Sequence, residues 1–158
     1  MNIKLIAVGK LKEKFFKEAV LEYSKRLSRF GKLEIAELAD EKIPDNPSEK
    51  QIEMIKEKEG RAILSQLREN TYFIALCIEG KELSSEEFAE KLSSLSMQTG
   101  HITLAIGGSL GLSDEVKKRA DMHLSFGRMT LPHQLMRVVL LEQIYRAFKI
   151  NANESYHK

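Results

Sequence analysis

FGRMTLPHQLMR, residues 126–137, is the stretch that decides the fold. It leaves a short apolar run, MHLSF at 122–126, as the end of a strand. It then passes Gly127 and Pro132 and opens into a helical pattern. Proline at the first turn of a helix loses no hydrogen bond, so Pro132 marks a helix start, with Thr130 or Leu131 just before it. A strand handing the chain to a helix through a short glycine-bearing loop is the repeating unit of α/β proteins.

Working outward, the same alternation recurs. Ile3, Leu5 and Ala7–Val8 form a first strand ending at Gly9. Phe16, Ala19, Val20, Tyr23, Leu27 and Phe30 follow at helical spacing, and Gly31 stops that helix. Leu33, Ile35 and Leu38 alternate as a second strand. EKIPDNP at 41–47 is a loop. Ser48 with Gln51 and Ser84 with Glu87 are capping boxes before two further helices. TYFIALCIEG at 71–80 is apolar on both faces, which predicts a central strand. HITLAIGG at 101–108 is another buried strand, and Ser113 caps a short helix over 113–120. Pro132 to Ile150 is the last helix. Five strands alternating with five helices imply an α/β fold with a mainly parallel sheet, in one domain spanning 1–158.

The composition bounds the function. Hydrophobic residues are 42% and charged residues 30% of 158, ordinary values for a soluble protein. No apolar run approaches a membrane span, and MNIKLIAVGK lacks the parts of a signal peptide. The one cysteine, Cys77, cannot form an internal disulfide and suits a buried thiol. These features predict a cytoplasmic protein with no membrane partner. The net charge of +2 is unevenly spread. Residues 1–31 hold eight Lys/Arg against three Glu, and residues 116–158 hold eight against three acids. Residues 34–59 hold nine acids against four Lys. Basic ends that meet in space would suit RNA; basic ends that do not are ordinary solvated helix faces.

Ligands of open parallel sheets bind beyond the carboxyl ends of strands. Three glycine-bearing loops fall there: IEGKELS, GGSLGLS and GRMTLPHQ. GGSLG at 107–111 allows close backbone approach to a ligand, or is simply a tight turn. It is not a dinucleotide fingerprint. No Asp or Glu stands about 20 residues on, where a ribose-binding acid is expected. His101, His123, His133 and His157 lack metal-ligand spacing, so no metal is expected. In the last helix Glu142 and Arg146 are spaced i,i+4: a helix-stabilising pair, or a polar spot left for a substrate. The tail NANESYHK would fray, or would offer Tyr156 and His157 to a base.

Four segments together resemble one family: KLIAVGK at 4–10, IGGSLGLS at 106–113, TLPHQLMRVVLLEQIYRA at 130–147 and YHK at 156–158. The chain is similar over essentially its whole length to the SPOUT class of S-adenosylmethionine-dependent RNA methyltransferases. Within that class it resembles the family that methylates N3 of a pseudouridine in helix 69 of 23S rRNA. The resemblance implies a Rossmann-like α/β domain with a C-terminal trefoil knot, a homodimer, and the assembled ribosome as partner. It implies S-adenosylmethionine held by Leu76, Gly108, Gly127, Arg128, Met129, Thr130, Leu131 and Pro132. It implies substrate-side roles for Glu142, Arg146, Tyr156 and His157. Lys10, Lys12, Lys14, Lys17, Lys117, Lys118 and Arg119 are candidates for phosphate contacts. Two rivals remain at this point: a non-catalytic RNA-binding factor on the same fold, and a nucleotide- or flavin-binding oxidoreductase.

Overall fold

The computed structural model describes residues 1–156. Strands β1 (Asn2–Val8), β2 (Lys32–Leu38), β3 (Tyr72–Glu82), β4 (His101–Ile106) and β5 (Met122–Ser125) form one sheet in the order β2-β1-β4-β3-β5. Every neighbouring pair is parallel. Helices α1 (Lys14–Leu27), α2 (Glu49–Ser65), α3 (Ser85–Gln98), α4 (Asp114–Arg119) and α5 (His133–Asn151) follow the strands in turn.

The strand order accounts for the layers. The steps β1 to β2 and β3 to β4 run toward one edge, and β2 to β3 and β4 to β5 toward the other. Right-handed crossovers then place α1 and α3 on one face and α2 and α4 on the opposite face. The two cores follow. Val20 and Leu27 of α1, Leu92 of α3 and Leu140, Leu141 and Ile144 of α5 pack with Leu5, Ile74 and Leu104. Ile63 of α2 and Val116 of α4 pack with Ile6, Val8, Phe73 and Ala105. Successive strand residues point to opposite faces, so each interior strand feeds both cores. Local signals fix the helix starts. Both capping boxes are closed, and Ser113 accepts from the Val116 N–H at 3.3 Å.

Three details depart from the sequence reading. β3 is interior but not central: β4 holds the middle and β5 adds the edge beyond β3. Pro132 stands one position earlier than expected, at the N-cap with extended backbone, and α5 begins at His133. Gly31 is not a left-handed helix cap, because α1 ends at Leu27 with Ser28 as a helical C-cap. A Cβ at Gly31 would lie 2.4 Å from the Met1 carbonyl oxygen, so close chain approach is what requires glycine there.

The largest departure is Arg137. It sits on the last helix with no exposed surface. Its Nη1 donates to Glu37 Oε2 at 2.5 Å and its Nη2 to the Gly9 carbonyl at 2.9 Å. Glu37 also accepts from the Leu11 N–H, and Gln134 Oε1 accepts from the Lys12 N–H at 2.9 Å. The start of α5 is thereby tied to the ends of β1 and β2. Burial alone would raise the Glu37 carboxyl, but the Arg137 guanidinium and the Leu11 N–H outweigh it and hold it below its ordinary 4.5.

Arg137→Ala leaves a hole and strands two acceptors. Because Glu37 is 38% exposed and screened, the expected loss is about 2–4 kcal/mol rather than the full cost of a dry broken pair. A carboxylate with a lowered folded pKa contributes stability that is present above the unfolded pKa and lost as pH falls through the folded one. Urea melts should therefore show the wild-type advantage whole at pH 7 and shrinking below 4.5. Identical melts of the two proteins at pH 7 would refute the structural role.

Candidate active site

Adjacent strands whose following helices lie on opposite faces leave a crevice at their carboxyl ends. β4, whose helix lies opposite to those of β1 and β3, has such a neighbour on each side. A cavity of about 900 Å³ opens there. Two of the three expected glycine-bearing loops line it, Gly107 to Leu112 and Phe126 to His133 with Arg128 left out; most of the third, IEGKELS, lies within β3, which brings Leu76 to Glu79 to the wall but not Gly80. The loop after β5 runs from the β5 edge, across the ends of β3 and β4, to the α5 start held by Arg137.

Each loop has a physical reason for its shape. After β4, the Gly111 N–H donates to the Gly108 carbonyl at 3.0 Å, closing a tight turn with Gly111 at φ +85°. A Cβ at Gly107 would meet the Gly111 backbone at 2.9 Å. The tight-turn and ligand-approach interpretations of GGSLG thus concern the same atoms. After β5, Gly127 takes φ +112° and its N–H donates to Ser125 Oγ, which donates to the Ile78 carbonyl. In β3 the pairing with β5 slips between Leu76 and Lys81. That bulge leaves Cys77, Ile78 and Glu79 unpaired in the ladder and on the cavity wall.

Of the residues expected around a cofactor, Leu76, Gly108, Gly127, Met129, Thr130, Leu131 and Pro132 are on the wall. Arg128 is exposed and is not. Three charged side chains not expected at the cavity are brought to its wall by α2, β3 and α4: Lys56, Glu79 and Lys117, the last expected only as a phosphate contact. Lys117 Nζ donates to Glu79 Oε1 at 2.5 Å, which holds the Glu79 carboxyl below and the ammonium above its ordinary range. His133 is also on the wall. Its Nδ1 is buried with no hydrogen-bond partner among the described residues. Burial, then the nearby Arg137, push its pKa down, so the ring is neutral at pH 7. Cys77 is partly buried, and burial pushes its thiol up, as suits an unreactive cysteine.

The expected substrate-side residues form a second cluster. Arg146 Nε and Nη2 both donate to Glu142 Oε1, at 2.8 and 2.5 Å. The Tyr156 hydroxyl donates to Glu142 Oε2 at 3.2 Å. The Arg146 guanidinium lies 4.7 Å from the centre of the Tyr156 ring, whose edge meets Tyr145. The tail is tied down just before this point, where Glu154 pairs with Arg29 and Lys149. His157 lies outside the described residues. The cluster is not on the cavity wall of the same chain. Glu142 is about 13 Å along α5 from His133.

The basic ends of the chain meet only in part: α5 lies beside α1, while Lys117, Lys118 and Arg119 sit on α4 beside α2. α1 and α5 pack together on one face, while the acidic segment lies in β2, α2 and the loop between them. Lys10, Lys12, Lys14 and Lys17 are exposed at the start of α1. Lys117 departs from the expected outward position, being held at the cavity by Glu79.

Burial, then the Glu142 charge, raise the Tyr156 phenol above 10. In an NMR titration with labelled tyrosine, Glu142→Gln should move the Tyr156 midpoint part of the way down and leave the other tyrosines in place. An unmoved midpoint would remove Glu142 as a partner of the phenol.

Comparison with known proteins places the chain in a family. The chain is 62% identical to "Ribosomal RNA large subunit methyltransferase H" of Clostridium novyi (strain NT). It is 59% identical to the protein of the same name from Clostridium perfringens (strain 13 / Type A) and 57% to that of Clostridioides difficile (strain 630). Each match covers the whole of both chains. The family model described as "Predicted SPOUT methyltransferase" matches residues 1–157, and the chain belongs to the SPOUT methyltransferase family.

Proposed function

We propose that this chain methylates N3 of a pseudouridine in 23S rRNA of the assembled ribosome, with S-adenosylmethionine as donor. What supports this above all is the joining of the glycine loops after β4 and β5 with the irregular stretch of β3 around one cavity, in a member of a methyltransferase family. The volume suits a cofactor of this size. Leu76, Ile106, Leu124 and Leu131 offer apolar walls to an adenine, and the glycine backbone offers close polar contacts.

When bound, the cofactor supplies a methyl group already activated by its sulfonium. The substrate N3 carries a proton that has to leave for it to accept the methyl group, so negative charge develops on the base. The protein has to position the base in line and steady its developing negative charge. Arg146 is the group suited to that charge. Glu142 orients it and fixes Tyr156, whose raised pKa keeps the phenol protonated at neutral pH. His157 is a candidate proton acceptor. Lys10, Lys12, Lys14 and Lys17, on the face shared with α5, suit phosphate contacts. Lys118 and Arg119 are exposed on α4 and remain candidates, while Lys117 serves the cavity.

The functional form is a homodimer in which the cluster of one protomer serves the cavity of the other. The distance between the two sets along α5 favours this, and so do the half-buried apolar side chains Leu135 and Val139.

Mass spectrometry of rRNA from a deletion strain should show one missing methyl that returns on complementation. A methyl that does not return would end the assignment. Gly127→Val, forced into φ +112°, should weaken S-adenosylmethionine binding more than tenfold in calorimetry. Co-expressed Gly127→Val and Arg146→Ala chains should recover about a quarter of wild-type activity, because half the dimers then carry one intact site. No recovery would place both sets in one protomer.

A further inference from the structure

We propose that Glu79 is the residue that recognises the ribose of the adenosyl cofactor, with Lys117 as its positioning partner. This rests on the cavity being the cofactor site. The glycine loop after β4 carries no ribose-binding acid downstream of it in sequence. The fold supplies one from the neighbouring strand instead. The bulge after Leu76 takes the chain out of the β5 ladder and brings Glu79 to the wall, facing the glycine loop across the crevice.

Three observations single out this carboxylate. Among the described residues that line the cavity, Glu79 is the one acid. The cavity is otherwise walled by apolar side chains, glycine backbone, a few hydroxyls and amino groups, so Glu79 is its strongest acceptor for a pair of ribose hydroxyls. Its orientation is also set before any ligand arrives. Lys117, whose side chain is 24% exposed, engages Oε1 from α4 on the opposite side of the bulge. A carboxylate accepts about four hydrogen bonds, so that pair leaves capacity for a diol. Glu79 itself is 58% exposed, which places the contact at the mouth of the cavity. A bound adenosyl group would then turn its ribose edge toward solvent and its adenine inward, toward Leu76 and Leu124.

The test is a cycle between protein and ligand in titration calorimetry. The proteins are wild type and Glu79→Gln, and the ligands are S-adenosylhomocysteine and its 2′-deoxy and 3′-deoxy forms. Glu79→Gln keeps the size of the side chain at an exposed position, and an unchanged melting temperature checks its fold. The expected result is about a tenfold loss of affinity for S-adenosylhomocysteine and a much smaller loss for at least one deoxy form. An equal loss for all three ligands would mean that Glu79 acts on another part of the cofactor, and unchanged binding would mean that it does not touch the cofactor. Either overturns the ribose assignment alone. Wild-type protein that binds none of the three overturns the cofactor site with it.

Discussion

The fold turns on one buried guanidinium. Arg137 reaches from α5 to a carboxylate on β2 and a carbonyl after β1, and nothing of it is exposed. Burying an arginine is costly unless its charge and its donors are met. Two of its nitrogens are met here, by Glu37 and by the backbone of Gly9. That backbone must take φ +99° and carry no side chain, since a Cβ would lie 2.6 Å from the His133 ring. Gly9, His133, Glu37 and Arg137 therefore form one constraint. It fixes where α5 begins, and so fixes the far end of the loop that closes the cavity.

The cavity in turn follows from topology more than from any single side chain. The strand order sends α4 to one face and α1 and α3 to the other, opening the sheet at the end of β4. Glycines keep the opening from being filled, at Gly107 through close backbone packing and at Gly111 and Gly127 through positive φ. Right-handed crossover places basic α1 beside α5 and acidic α2 behind the sheet, while the basic end of α4 falls on the α2 face, so the charge separation along the chain is only partly carried into space.

Much of this was legible because it is local or periodic. The capping residues of α2, α3 and α4, the alternation of elements, and the glycine loops after β4 and β5 are written within a few residues of where they act. The limits lie in pairing across the sheet. TYFIALC is apolar on both faces because β3 has neighbours on both sides, but apolarity does not say how many strands lie beyond; β5 does lie beyond it. Arg137, within MRVVLLEQ, looks like the polar edge of a helix. Its burial is decided by Glu37, 100 residues earlier in the chain. Glu79 and Lys117 were likewise invisible as a pair, since a bulge in β3 joins them. Arg128 shows the opposite case: it belongs to the right loop by position, and its side chain turns outward to solvent.

In the homodimer proposed above, α5 divides its labour between two protomers. Its first turn closes the cavity, and its third and fourth turns hold Glu142 and Arg146 with the docked Tyr156. A straight helix of 19 residues cannot bend these two ends onto one ligand. Nor is the cluster a loose tail waiting to swing across. Glu154 is tied to Arg29 and Lys149, and the Tyr156 ring sits against Tyr145 and under Arg146. The aromatic base of that cluster continues into Phe30 stacked on Phe148, 5.4 Å apart. A platform so well anchored is preorganised, and preorganised groups cost little to order when a substrate arrives. On that proposal, what brings it to a cavity is the approach of a whole folded surface. In the homodimer proposed above that surface is a second copy of the same helix, and symmetry then supplies two such meetings for one interface.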